Sequence, residues 1–357
     1  MTPASAGLLT GFATAEGTRR FAERAISRAV VPRDHFRVFE GVHFSSLGMG
    51  TYLGKADAAT DRAVTSAVIR SVVSGVVNVV DTAINYRSSH GETAVGAALS
   101  RLPTEHHVLR DEVFVATKNG YVADPRQLRE MVSTGLVSPG EIASGCNCMS
   151  VPYLKDQLER SRVHLGLETI DLLYLHNVSD EHLPRLGQEE FLRALEPAFG
   201  FLEDSRKAGK IRYYGLATWD SLRLPPASPD LLSIESVVDL ARTVGGKDHG
   251  FRFIQFPFNL AMPEAAALAN QSVRGERVPL LEAAHRLGLG TFSSVPLLQG
   301  RLVPKLALDF ARSAPGHLAP LVGYKTDPHV EENLALGARP SLSRDAFAAL
   351  LEKALHP

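Results

Sequence analysis

Four residues of this 357-residue chain carry side chains that together could move a proton at neutral pH. Asp81 closes the run Asn-Val-Val-Asp, Lys118 closes Phe-Val-Ala-Thr-Lys, and His176 closes Leu-Leu-Tyr-Leu-His, while Tyr86 follows Asp81 on the same connection. Each of the three ends a short apolar run, where a strand leaves a core. A phenol with an ordinary pKa of about 10 is a poor acid at pH 7. An ammonium beside it favours the phenolate and lowers that value. Lys118 next to Tyr86, with Asp81 holding Lys118, therefore predicts a tuned proton donor, and His176 a hydrogen-bond donor to a carbonyl oxygen. The competing chemistry is a Schiff base on Lys118.

These side chains have to be brought together by the elements around them. Apolar runs fall at 46–49, 77–80, 113–116, 172–175, 212–216, 253–256, 291–292 and 318–322. They are continuous rather than alternating, the pattern of parallel strands covered on both faces. Helical signals separate them. Val64, Ala67, Val68 and Val72 share one face, and Pro152 opens a segment with Leu154, Leu158 and Leu165 that stops at Gly166. Segments 189–208 and 231–244 end at glycines, and Asp327-Pro328 opens a last helix. This order predicts an α/β protein, a (β/α)8 TIM barrel forming a single domain over 39–357, preceded by an N-terminal extension over 1–38. An open doubly wound sheet is the alternative, and no Gly-x-Gly-x-x-Gly follows a strand to support it. The connection 119–149 after the third strand is unusually long and leaves directly from Lys118, so it is expected to be a substrate lid. In such barrels chemistry gathers at the C-terminal ends of strands, with neighbours about 4.8 Å apart.

The set Asp81-Thr-Ala-Ile-Asn-Tyr86, Ala-Thr-Lys118 and Leu-His176 resembles the tetrad of the aldo-keto reductases, in a bacterial-type form with a long loop after the third strand. Further stretches resemble the family in order. Gly50-Thr51-Tyr52 is similar to its Gly-Thr-Trp, and Gly215-Leu-Ala217-Thr218-Trp219 to its Gly-x-Ser-Asn-Phe. Gln255 stands at its sixth-strand glutamine and Phe292-Ser293 at its Tyr-Ser. Gly300-Arg-Leu-Val-Pro-Lys305 resembles its Gly-x-Leu-Thr-Gly-Lys loop over the pyrophosphate, with Leu297 and Gln299 just before it as further candidate cofactor contacts, and Glu332-Asn333 its adenine-side pair. The resemblance implies an oxidoreductase moving hydride between a nicotinamide and a carbonyl or alcohol (aldehyde, ketone or sugar), with Tyr86 as general acid and base. It implies carboxamide contacts from Thr218 and Gln255 and ring stacking by Phe292. A nicotinamide-binding regulatory subunit with little turnover is the alternative the family offers. Tyr52, Arg87, Asn177 and Trp219 are candidate substrate contacts, Arg87 because glycine commonly follows that tyrosine.

The resemblance also favours NADP(H) over NAD(H), with modest discrimination. The positions of the usual Lys and Arg for the 2′-phosphate are Gly323 and His329 here, leaving Lys325, Thr326 and a helix start to favour a phosphate.

Composition sets outer limits. Lys and Arg total 38 against 39 Asp and Glu, so no broad nucleic-acid surface is expected. A 45% hydrophobic content excludes wholesale disorder. Two cysteines build no disulfide scaffold and suit a cytoplasmic, reducing setting. Cys146 and Cys148 do not complete a metal site, so no metal is expected. No apolar run reaches membrane-span length. Residues 6–15 end in Ala-Thr-Ala but lack a preceding cation, so no cleaved signal is expected. The sequon Asn177-Val-Ser179 reads as incidental. Oligomeric state and the particular carbonyl are not set by the sequence.

Overall fold

The eight continuous apolar runs each form a parallel strand in the computed structural model, which describes residues 7–356. They are β1 (Gly48–Gly50), β2 (Val79–Asp81), β3 (Phe114–Asn119), β4 (Ile170–His176), β5 (Ile211–Ala217), β6 (Phe251–Pro257), β7 (Gly290–Ser294) and β8 (Ala319–Gly323). The strands pair in chain order and β8 closes on β1, with Gly323 opposite Gly50. The chain is thus a (β/α)8 barrel. Helices cover its outside, so the strands are buried on both faces, which is why their sequences do not alternate. Local signals set the helix limits. Asp57 caps Ala58–Val73 by accepting from the Thr60 amide at 2.7 Å. Val151–Leu165 carries Pro152 in its first turn and stops at Gly166, whose φ of 65° suits glycine. No helix among the described residues is long and apolar enough to cross a membrane.

The segment before the barrel builds its floor. The hairpin Phe36–Phe39 with Val42–Ser45 puts Phe44 into the N-terminal end of the barrel. There the ring is fully buried, edge-on to Phe114 at 4.9 Å and to Phe292 at 5.7 Å. Truncating such a ring costs about 3–5 kcal/mol. Helix Ala15–Ser27 is strapped to the barrel through Arg24, which bonds the fully buried Glu112 at 2.8 Å, and Leu9 bridges to Leu167. Residues 1–6 of the extension lie outside the described residues.

Two features bear on the barrel's C-terminal rim. The connection 119–149 is folded. It contains helix Pro125–Ser133 and a hairpin of Ile142–Ala143 with Asn147–Cys148, closed over a cluster of Leu128, Val137, Cys148 and Tyr153. The helix after β4 begins at once, as Val178–Lys207, and breaks at Gly187 (φ 73°, ψ 168°). Its first part carries Asp180, Glu181 and His182 beside His176; Pro184 and Gly187 had masked it in the sequence.

Candidate active site

Asp81 and His176 end their strands and Lys118 stands one residue before the end of β3, so all three rise at the same rim. Lys118 is the hub. Its Nζ donates to Asp81 Oδ2 at 2.5 Å, to the Thr82 carbonyl at 2.8 Å and to the Tyr86 hydroxyl at 3.2 Å. Its side chain has no exposed surface and that of Asp81 is 5% exposed. The second Asp81 oxygen accepts from Gln255 Nε2 at 3.0 Å, and Thr51 Oγ1 donates to the Asp81 carbonyl at 3.1 Å. The His176 ring lies edge-on to Tyr86 at 5.9 Å between centroids, with Tyr52 on the other side of Tyr86 at 5.1 Å. The four residues picked out by type and spacing are thus one cluster.

The electrostatics differ from the sequence expectation in one respect. Burial pushes the Tyr86 phenol above its ordinary value, and the Lys118 ammonium pulls it only part of the way back. Tyr86 is therefore a protonated phenol at neutral pH, and Lys118 lowers the cost of its losing that proton. Lys118 is held above the usual lysine range because Asp81 and Tyr86 outweigh its desolvation. Burial, reinforced by the Lys118 charge, holds His176 well below the usual histidine range, so the ring is neutral.

Two candidate substrate contacts stand open to solvent. Tyr52 is 64% exposed and Trp219 38%. Trp219 is set by Asp180, whose carboxylate accepts from the amides of Trp219, Asp220 and Ser221 at 2.7–2.9 Å. Asn177 is half-buried, in the left-handed region (φ 51°) at the start of the helix, and its amide reaches the Tyr121 hydroxyl at 3.4 Å. Arg87 is not a free rim cation: its guanidinium pairs with Asp61 at 2.6 Å, with further bonds to the Lys55 and His90 carbonyls, leaving its side chain 2% exposed.

Tyr121 belongs to the segment expected as a lid, while Asn147 and Glu181 carry no signal in the sequence reading. The Tyr121 ring stands perpendicular to His176 at 4.9 Å, and its hydroxyl donates to Glu181 Oε1 at 2.7 Å. Asn147 is fully buried; it donates to the His176 carbonyl at 2.8 Å, while its own oxygen lies 3.2 Å from His182 Nε2. The position of Tyr121, three residues after Lys118, was the available signal.

The residues assigned to a cofactor divide into two groups. Gly50, Thr51 and Tyr52 leave β1; Leu297, Gln299 and Gly300 form the turn after β7, with Gln299 left-handed at φ 58°; Lys305 is exposed on the next helix. Gly323, Lys325, Thr326, His329, Glu332 and Asn333 follow along β8 and helix Asp327–Gly337. Asn333 Nδ2 donates to the His329 carbonyl at 2.7 Å, and its buried Oδ1 has no protein donor. Arg70, which sequence reading passed over, holds that helix start by pairing with Asp327 and Glu331. The second group, Phe292 and Ser293, does not reach the rim. Phe292 points into the barrel, stacked on Phe253 at 5.8 Å and 1% exposed, so it cannot stack on a ring at the rim. Ser293 faces the other way and bonds the buried His317 at 2.9 Å, and the strand end at the rim is Ser294. Thr218 lies 3.4 Å from the Gln255 carbonyl, so its hydroxyl is partly committed to backbone. Cys148 is buried beside Ser150 and Cys146 is half-buried.

A barrel with this buried Asp–Lys–Tyr–His cluster at its C-terminal rim defines a class of oxidoreductase-like site. The aldo/keto reductase family model matches residues 46–232, and the chain belongs to that family. Over 108 residues it is 32% identical to the Schizosaccharomyces pombe aldo-keto reductase yakc, whose name carries the designation NADP(+); the match spans 30% of this chain and about a quarter (24%) of the relative's length. Among solved structures, the holo form of an aldo-keto reductase from Bacillus halodurans is 18% identical over 89% of this chain and 95% of that one, with a TM-score of 0.59. An aldo/keto reductase from Klebsiella pneumoniae, in complex with NADP and acetate, is 20% identical over 88% and 93%, with a TM-score of 0.56. At these identities the structures speak for the fold.

Proposed function

We propose that this chain is an NADP(H)-dependent oxidoreductase that interconverts a carbonyl and an alcohol, with Tyr86 as the proton donor and acceptor. The observation that carries this is the Lys118 hub, a fully buried ammonium touching both the Asp81 carboxylate and the Tyr86 hydroxyl. Tyr86 gives its proton to the carbonyl oxygen, Lys118 offsets the negative charge left on the phenol, Asp81 keeps Lys118 in place, and neutral His176 orients the carbonyl by hydrogen bonding. A bound nicotinamide would supply or accept the hydride. Burial keeps water from competing for these groups. The Schiff-base reading loses support because the Lys118 amine is held as a paired ammonium, which is not a nucleophile. The intact cluster likewise supports turnover over a purely regulatory role.

The residues along β7, β8 and β1 fit an extended dinucleotide. A Cβ at Gly50 would meet only backbone of β8 at 3.8–3.9 Å, whereas one at Gly323 would come within 3.0 Å of the Leu53 side chain, which covers that end of β8. Gln255, already bonded to Asp81, would hold the carboxamide, and Asn333 offers a buried acceptor on the adenine side. Lys325, with Thr326 at the helix start, supports a preference for a 2′-phosphate. NADP in the name of the yeast relative and in the Klebsiella complex supports the same choice. The folded excursion 119–149 is read as a wall of the substrate pocket on the His176 side. Fluorescence titration with NADPH and NADH, followed by a carbonyl and sugar panel, tests the reading. No cofactor binding, or binding with no reduction of any carbonyl, would overturn it.

A further inference from the structure

Two cations near the cluster are already paired. Lys118 is neutralised by Asp81 at 2.5 Å, and Arg87, the next cation along the chain from Tyr86, is committed to Asp61. On the opposite side of His176 stands a carboxylate. Tyr121 faces the His176 ring edge-on, and its hydroxyl spends its proton on Glu181 Oε1 at 2.7 Å. Asn177 donates to the same hydroxyl at 3.4 Å. Tyr121, Asn177 and Glu181 are all half-buried, so substituents on a carbonyl held between Tyr86 and His176 would lie against amide, phenol and carboxylate groups. This surface offers hydrogen bonds to hydroxyl groups and repels a negative charge.

We propose that the site takes neutral, hydroxyl-bearing carbonyl compounds and turns away those with a carboxylate near the carbonyl, and that Glu181, held by Tyr121, sets this preference. The inference rests on the reductase reading and names its substrate class. One charge about 10 Å away, at an effective dielectric between those of protein and water, gives discrimination of about five- to tenfold.

The test uses the full chain with NADPH and two small aldehydes, neutral glyceraldehyde and anionic succinic semialdehyde. Wild type should favour glyceraldehyde in kcat/KM, and added salt should narrow the gap. Glu181→Gln should raise the ratio of anionic to neutral kcat/KM about five- to tenfold. A wild type that prefers the semialdehyde, or a ratio unmoved by Glu181→Gln, would overturn the proposal. A second arm needs no turnover. Acetate is titrated against the NADPH-bound protein by following nucleotide fluorescence, and Glu181→Gln should bind it about five- to tenfold more tightly than wild type. Equal affinity would overturn the charge argument. NADPH binding with neither aldehyde reduced would instead count against the reductase reading, and the acetate arm would still decide the role of Glu181.

Discussion

Removing the charge of Lys118 alone should damage stability and activity together, whereas removing both charges of its pair should separate them. Lys118 has no exposed side-chain surface, and Asp81 accepts from Lys118 on one oxygen and Gln255 on the other. In Lys118→Met the carboxylate stays buried with one amide donor, and breaking a buried pair from one side costs about 3–5 kcal/mol. Asp81→Asn strands the ammonium at a similar cost. Against a typical stability of about 5–15 kcal/mol, either change is large. The double variant Asp81→Asn/Lys118→Met buries no charge, and neutral replacements of buried pairs are often close to isoenergetic. It should therefore lose no more than about 2 kcal/mol, giving a coupling of at least about 4 kcal/mol between the sites. Turnover should not return, because Tyr86 would still lack its neighbouring cation. Urea unfolding of the four proteins at pH 7 measures the first quantity, and NADPH-dependent carbonyl reduction the second. Additive losses would refute the buried-pair argument, and an active double variant would refute the role given to Lys118.

Tyr86→Phe should keep NADPH affinity and lose about 100- to 10,000-fold in turnover, the usual worth of general acid catalysis; full turnover would show that another group supplies the proton. Because burial raises the Tyr86 phenol and alcohol oxidation needs the phenolate, the oxidation rate should still be climbing at about pH 9, and a plateau near pH 7 would contradict that. NADPH should bind about tenfold more tightly than NADH, about 1.4 kcal/mol, and Lys325→Ala should bring the two near parity; a clear NADH preference in titration would reverse the cofactor assignment. The protein should be acid-labile. The buried rings of His35 and His182 are held down to about 4 and His317 to about 3. The unfolded chain takes up these protons below about pH 6.5 and the folded chain does not, so stability is full above that pH and is lost as pH falls toward 4. Each ring contributes about 3 kcal/mol to that loss by pH 4; a urea midpoint unchanged from pH 7 to 4.5 would exclude it.

The strands were legible because burial on both faces leaves continuous apolar runs, a signal that needs no partner to be seen. The tetrad was legible for a related reason: Asp81, Lys118 and His176 each interrupt such a run where it reaches the rim. What failed depended on facing. Phe292 and Ser293 match a family motif in order, yet β7 pairs Phe292 with Gln255 and Ala319 on the interior-facing side, and Ser293 meets His317 on the other. Alternation along a strand means that an offset of one residue exchanges the barrel interior for the helix-facing side, and residue order alone cannot reveal that offset. Arg87 failed differently. A guanidinium goes to whichever carboxylate the fold presents, and Asp61 comes from a helix on the preceding connection.

The excursion 119–149 shows how the same geometry can make a surface segment part of the chemistry. It begins at the residue after Lys118, and its far end returns Asn147 to the His176 carbonyl, so the two ends of one insertion are fixed at two members of the cluster. Tyr121 and Asn147 bridge across its base, which ties the ring against His176 to the amide beneath it. This segment spends the buried amide of Asn147 on β4 and on His182. On the proposed reductase reading, changes in its sequence should alter substrate selectivity through Tyr121 and its exposed face. Changes at Asn147 would instead act on every substrate alike, through the position of His176.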